Sequence, residues 1–183
     1  MAAQKKQILD QKLLDITINR LCHQLIENHG DFSSSVIIGL QPRGIHLANL
    51  LTKKLEEILG KKIHLGLLDI TFYRDDFRRR DSPIKANTTK IDFIIEDKNV
   101  IIVDDVLYTG RSVRAAMDAM TAFGRPKKVE LLALINRKYS RQLPIEPDYV
   151  GQSVNTLDSQ RVLVEWSGAG FKKDAIWLIN ITE

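Results

Sequence analysis

The chain has 183 residues, 44% hydrophobic and 27% charged, which fits one globular domain and excludes a collagen, a coiled coil or wholesale disorder. Its 27 Lys and Arg against 23 Asp and Glu leave a net charge of +4, which favours anionic small molecules and permits nucleic acid without requiring it. The lone Cys22 excludes an internal disulfide, no Cys/His cluster suggests zinc, and no apolar run approaches the ~20 residues of a membrane span, so a cytoplasmic protein without membrane contact is expected.

Leu9, Leu13, Leu14, Leu21, Leu25 and Ile26 recur at helical spacing, with Asp10 placed to cap and Gly30 to stop the helix. Residues 35–40 read as a short buried strand. Residues 45–59 are helical again, with Leu47, Leu50, Leu51, Leu55 and Ile58 on one face and Gly60 just beyond. Ile63, Leu65 and Leu67 alternate, and the strand is expected to run to Phe72. Residues 74–90, polar and carrying Pro83, form a long loop of the kind that serves as a lid. Residues 99–105 are almost continuously apolar and end in two aspartates, the pattern of a central parallel strand. A helix follows over 112–123, with Val113, Ala116, Met117 and Met120 facing inward, and then a strand over 128–135. Shorter apolar runs lie near Tyr149, at Val162 to Val164 and over 176–181. Strands alternating with helices of this length predict an α/β domain, residues 1–183, built on a doubly wound parallel sheet. Ligand sites in such sheets sit at the carboxyl ends of the strands.

Three stretches fall at those ends, and the richest is Val103-Asp104-Asp105-Val106-Leu107-Tyr108-Thr109-Gly110-Arg111-Ser112. A buried strand delivers two adjacent carboxylates, and a helix start then supplies two hydroxyls, a glycine and free N–H groups. The helix start suits a phosphate. The carboxylates cannot face that phosphate; they suit sugar hydroxyls, or Mg²⁺ held through water. The plainer alternative is a strand that ends in a turn and a helix that begins after it. Paired charges closing a fully apolar run favour function.

This run resembles the PRPP-binding motif of type I phosphoribosyltransferases. Asp69-Ile70-Thr71-Phe72-Tyr73-Arg74-Asp75-Asp76 and Gly124-Arg125-Pro126 narrow the resemblance to the branch of bifunctional pyrimidine operon attenuators and uracil phosphoribosyltransferases, the PyrR branch. The resemblance implies a central parallel sheet flanked by helices, a small hood over about 137–165 and a flexible loop over about 74–90. It implies uracil and PRPP giving UMP and pyrophosphate, with the ribose hydroxyls on Asp104 and Asp105, PRPP along Val106, Leu107 and Tyr108, and the 5-phosphate on Thr109, Gly110, Arg111 and Ser112. Mg²⁺ would be held mainly by PRPP and water rather than by direct protein ligands. Gln41, Pro42, Arg43 and Gly44, with Arg74, would receive the pyrophosphate. Residues 39–44 have the frame of a Walker A loop, but Ile45-His46 stands where Lys-Ser/Thr is required, so that reading fails. Arg78, Arg79 and Arg80 read as a solvated charge run. Asp148, Tyr149 and Val150 resemble the segment that positions the base, although Tyr149 fits a core position equally well.

A second class of function comes with the same branch: a UMP-responsive attenuator that binds pyrimidine-operon leader mRNA, as a homodimer or larger homo-oligomer. Arg20 and His23 share a helix face and match that pattern, and Arg137 and Arg141 keep a second stretch basic. There Asn136-Arg137-Lys138-Tyr139-Ser140-Arg141 departs from the branch, with an Asp replaced, a Gly lost and one residue inserted. Phosphate contacts survive such a change more easily than base contacts do. The transferase is therefore the first expectation. An RNA regulator with minor catalysis, or a purine-base phosphoribosyltransferase, is the alternative.

Overall fold

The computed structural model describes residues 5–75 and 86–180. Strand β1 (Lys5–Leu9) leads through Asp10 into helix α1 (Gln11–His29). The Asp10 carboxylate accepts the Leu13 amide at 2.8 Å, and the Gly30 amide closes the far end on the Ile26 carbonyl at 2.8 Å. There follow β2 (Ser35–Leu40), α2 (Gly44–Leu59), β3 (Leu65–Leu68), β4 (Asn99–Leu107), α3 (Arg111–Met120), β5 (Lys128–Lys138), β6 (Tyr149–Asn155), β7 (Gln160–Glu165) and β8 (Ala175–Asn180). Five strands form a parallel sheet in the order β3-β2-β4-β5-β6. β1, β8 and β7 make a separate antiparallel sheet.

Every residue of β2 is buried, as a strand covered on both faces must be. Leu14, Leu21, Leu25, Leu47, Leu51 and Leu55 of α1 and α2 pack with Ile37, Ile101 and Leu132 on one side of the sheet. Val113, Ala116 and Met120 of α3 pack with Val36, Ile38 and Ile102 on the other. Each large aliphatic side chain buried this way contributes about 1.5–3 kcal/mol. The helices thus hold β2 and β4 at the centre and leave their carboxyl ends open.

Several expectations are corrected. β3 stops at Leu68 because the Asp69 carboxylate accepts the Thr71 amide at 3.1 Å and its hydroxyl at 2.6 Å. These bonds turn the chain into a one-turn 3₁₀ helix (Thr71–Tyr73), with Phe72 64% and Tyr73 43% exposed. Leu13, Ile58 and Met117 lie about half exposed at the margins of their helices instead of facing the core. β1 was not foreseen, since Lys5-Lys6-Gln7 is polar and finds its partner only in distant β8. β5 runs on to Lys138 because β6 pairs alongside it as far as Asn155. Residues 149–155 therefore belong to the main sheet, and the small sheet draws instead on both ends of the chain. Arg78, Arg79, Arg80 and most of the long loop lie outside the described residues. No described helix is long and apolar enough to cross a membrane.

Candidate active site

The loop after β2 meets the strand beside it at unusually close range. A Cβ on Gly44 would stand 2.5 Å from the Val103 carbonyl oxygen and 3.0 Å from Asp104 Cα. Only glycine lets α2 begin there. The approach carries Arg43 to the carboxylates: its Nε donates to Asp105 Oδ2 at 2.9 Å, and its Nη2 donates to the Val164 carbonyl of β7 at 3.0 Å. One guanidinium thus ties the central strand to the small sheet. Gln41 reaches the other way, donating from Nε2 to the Thr88 carbonyl at 2.7 Å.

Beyond β4 the chain turns through Tyr108, Thr109 and Gly110, which takes φ 89° and forms the N-cap of α3. The loop, with Asp104, Arg74 and Asp75, lines a cleft of about 530 Å³. Arg74 Nη1 donates to Ser112 Oγ at 3.3 Å, and Asp75 pairs with Arg111. Thr109 and Ser112 contribute hydroxyls, and α3 contributes the positive end of its dipole. The Tyr108 ring lies over the Arg137 guanidinium, 3.9 Å from it.

Asp105 is 4% exposed and Asp104 half-buried; the Asp105 amide donates to Asp104 Oδ1 at 2.9 Å. Burial, and then the neighbouring Asp105 carboxylate, push the Asp104 carboxyl well above the ordinary carboxylate range, against the pull of Arg43. Two like charges at the end of a buried strand are costly to keep without a positive or hydroxyl-rich ligand. Among the described residues no group of three or more His, Cys, Asp or Glu is placed to hold a metal. The adjacent carboxylates fit Mg²⁺ only as partial ligands, an ion that keeps several waters and substrate oxygens around it.

The cleft gathers Asp104, Arg74 and residues 106–112, while Asp105 and Arg43 pair with each other beside it, which divides the two arginines. Arg43 sits on Asp105, while Arg74 sits with Ser112. The structure does not bring the base candidates to the cleft. Tyr149 is core, its hydroxyl bonded to Glu130 at 3.2 Å; Asp148 accepts the Leu131 amide at 2.8 Å; and the Val150 carbonyl accepts from Arg20 at 3.2 Å. The three arginines among the RNA candidates are likewise engaged within the chain. Arg20 Nη2 caps the free edge of β6 at Val150 and Gly151. Arg137 is 5% exposed, donating from Nε to Thr156 at 2.9 Å and from Nη2 to the Gln160 carbonyl at 2.8 Å. Arg141 donates to Asn136 Oδ1 at 2.7 Å and to the Tyr108 carbonyl. His23 is exposed.

Asp69 is assigned no role of its own by the sequence motif. It accepts from Thr71 on one limb of the long loop and from the Asn87 amide at 2.9 Å on the other, so it clamps both limbs. An acid directly after an apolar strand is the signal that the sequence offers. Cys22 is buried, and burial pushes its thiol up to about 11, in keeping with an inert side chain.

Residues 4–167 match the phosphoribosyl transferase domain family. The bifunctional protein PyrR of Acetivibrio thermocellus is 46% identical over 152 residues, 83% of this chain and 82% of the relative. That of Bacillus subtilis is 40% identical over 166 residues, 88% and 90% of the two chains. A hypoxanthine-guanine phosphoribosyltransferase of Bacillus anthracis superposes with a TM-score of 0.69, covering 98% of this chain and 99% of that one at 16% identity, and so shares the fold. The cleft at the end of β4 is thus set in a type I phosphoribosyltransferase fold, and the chain belongs to the phosphoribosyl transferase domain family and, within it, to the PyrR bifunctional proteins.

Proposed function

We propose that the protein is a Mg²⁺-dependent uracil phosphoribosyltransferase, converting uracil and PRPP to UMP and pyrophosphate. The observation that carries this reading is the joining, by one strand and the turn after it, of paired carboxylates and a phosphate-type helix start at a single cleft. The resemblance to the uracil-using branch supports the base.

In the reaction the uracil N1–C1 bond forms as the C1–oxygen bond to pyrophosphate breaks, and the electron pair leaves with pyrophosphate. The N1 proton is lost to solvent; no side chain is assigned as general base. Residues 109–112 anchor the 5-phosphate through backbone N–H groups and hydroxyls. Asp104 and Asp105 accept from the ribose hydroxyls and stabilise the positive charge that develops at C1. Arg43 faces the leaving group from the glycine-seated loop. Arg74 neutralises charge from the Ser112 side. Bound Mg²⁺ supplies charge neutralisation at the pyrophosphate. A UMP-responsive contact with pyrimidine-operon leader RNA, and assembly as a homodimer or larger, belong to the same proposal. Kinship with proteins named bifunctional and the exposed His23 support the RNA contact, whereas the internal bonds of Arg20, Arg137 and Arg141 count against a full set of base contacts.

The test is UMP formation from uracil and PRPP with and without Mg²⁺, with hypoxanthine and guanine as alternative bases, beside calorimetric titration of a leader hairpin with and without UMP. Mg²⁺-dependent turnover on uracil is expected, with RNA binding that is weak and salt-sensitive. Turnover confined to purines would overturn the base. Absence of turnover with tight, UMP-enhanced RNA binding would leave a regulator in place of an enzyme.

A further inference from the structure

The basic stretch that follows Asn136 folds back onto the phosphate loop. Tyr139, at φ 66° and 86% exposed, makes the turn. The amides of Gln142 and Leu143 then both donate to the Thr109 carbonyl, at 3.0 and 3.2 Å. Arg141 bonds the Tyr108 carbonyl with one end of its guanidinium and Asn136 Oδ1 with the other. Gln142 Oε1 accepts from Arg111 Nε at 2.7 Å. Gly110 is pressed against the same segment, since a Cβ there would meet Ile145 Cδ1 at 3.2 Å.

In a trans peptide the C=O and the following N–H point in opposite directions. Tying the carbonyls of Tyr108 and Thr109 to this segment therefore turns the N–H groups of Thr109 and Gly110 away from it, toward the cleft that they line. These are the donors a phosphate would use. We propose that residues 141–145 are a brace holding the phosphate loop in its ligand-binding shape, and that Arg141 and Gln142 are positioning residues for the phosphorylated end of the donor; this rests on the phosphate reading of residues 109–112. The basic character of the stretch is thereby assigned to the pocket. An RNA contact is the competing role for Arg141.

The test compares wild type with Arg141→Ala, Arg141→Lys and Gln142→Ala by calorimetric binding of ribose 5-phosphate, KM for PRPP and for uracil, and affinity for a leader hairpin. Removing the brace is expected to weaken ribose 5-phosphate binding and raise KM for PRPP about tenfold, the scale on which the loss of one well-placed hydrogen bond acts. KM for uracil and hairpin affinity would stay unchanged, and Arg141→Lys would recover part of the loss. Should Arg141→Ala fail to fold, Gln142→Ala and Arg141→Lys decide. Unchanged ribose 5-phosphate affinity in folded variants would overturn the proposal, and a selective loss of hairpin binding would move Arg141 to RNA. Wild type that binds ribose 5-phosphate without using uracil would refute the uracil reading alone, with the affinities still deciding the brace. Wild type that binds neither ribose 5-phosphate nor PRPP would refute both.

Discussion

Two clusters of buried polar side chains stand at opposite ends of the parallel sheet. At the amino end, His29 Nε2 lies 2.7 Å from Glu130 Oε2 and its Nδ1 lies 2.9 Å from Ser35 Oγ, while the Tyr149 hydroxyl donates to Glu130. Lys128 also pairs with Glu130. Opposite charges and neutral donors satisfy one another there, and nothing further is required of the cluster. At the carboxyl end, Asp104 and Asp105 are neighbours of like sign, and among the described residues the Arg43 guanidinium pairs with Asp105. Satisfied pairs hold a fold together, whereas an unbalanced pair at a cleft is kept for a ligand.

The comparison can be broken by three substitutions. Asp105→Asn preserves shape and removes the charge that faces Arg43 and that the proposed mechanism sets against the sugar. Turnover should fall on the order of 10²-fold or more, with Tm nearly unmoved; near-normal turnover would remove Asp105 from the reaction. Glu130→Ala strips the partner from His29 and Tyr149 and should lower stability by about 3 kcal/mol, roughly 6–12 °C in Tm for a chain of this size. Turnover per folded molecule should not change. Lost activity at an unaltered Tm would erase the distinction between the two ends.

The smallest effect is the most diagnostic. The folded-state pKa of Asp104 is raised, so the folded carboxyl holds its proton to higher pH than the unfolded one does. The stability conferred by that proton is whole below the ordinary carboxylate range and is lost as pH rises through it toward the folded value. Asp104→Asn should therefore raise Tm at pH 7 by roughly 2–4 °C while lowering turnover, and the gain should vanish near pH 4. A gain of equal size at both pH values would show that charge is not its cause.

How much was readable beforehand follows the range of the interactions. The passage from β4 into α3 is local: apolar run, two acids, hydroxyls and a glycine follow one another, and the cleft holds them in that order. Gly44 was legible as a glycine in a turn, but the reason for it, the Val103 carbonyl, lies far along the chain. Asp148 and Val150 stand away from the cleft because β6 aligns Tyr149 with Leu132, which sends the tyrosine ring into the core, the place its sequence setting equally allows. Arg137 and Arg141 looked like surface cations because charge is visible in a sequence and a partner thirty residues away is not. Polar β1 carried no periodicity that could announce it.

The small sheet joins Lys5 to Ile179 and meets β4 both through Arg43, which bonds the Val164 carbonyl, and through a core that Val103 shares with Leu9, Val164 and Ile176. Within this chain β1 is made long before β8 and stays unpaired until β8 has followed. Closure of so long a loop comes late, because its entropy must be met before any contact rewards it. The central sheet and the turn into α3 can thus assemble before the small sheet closes, and the contact of Arg43 with Val164 waits on β7.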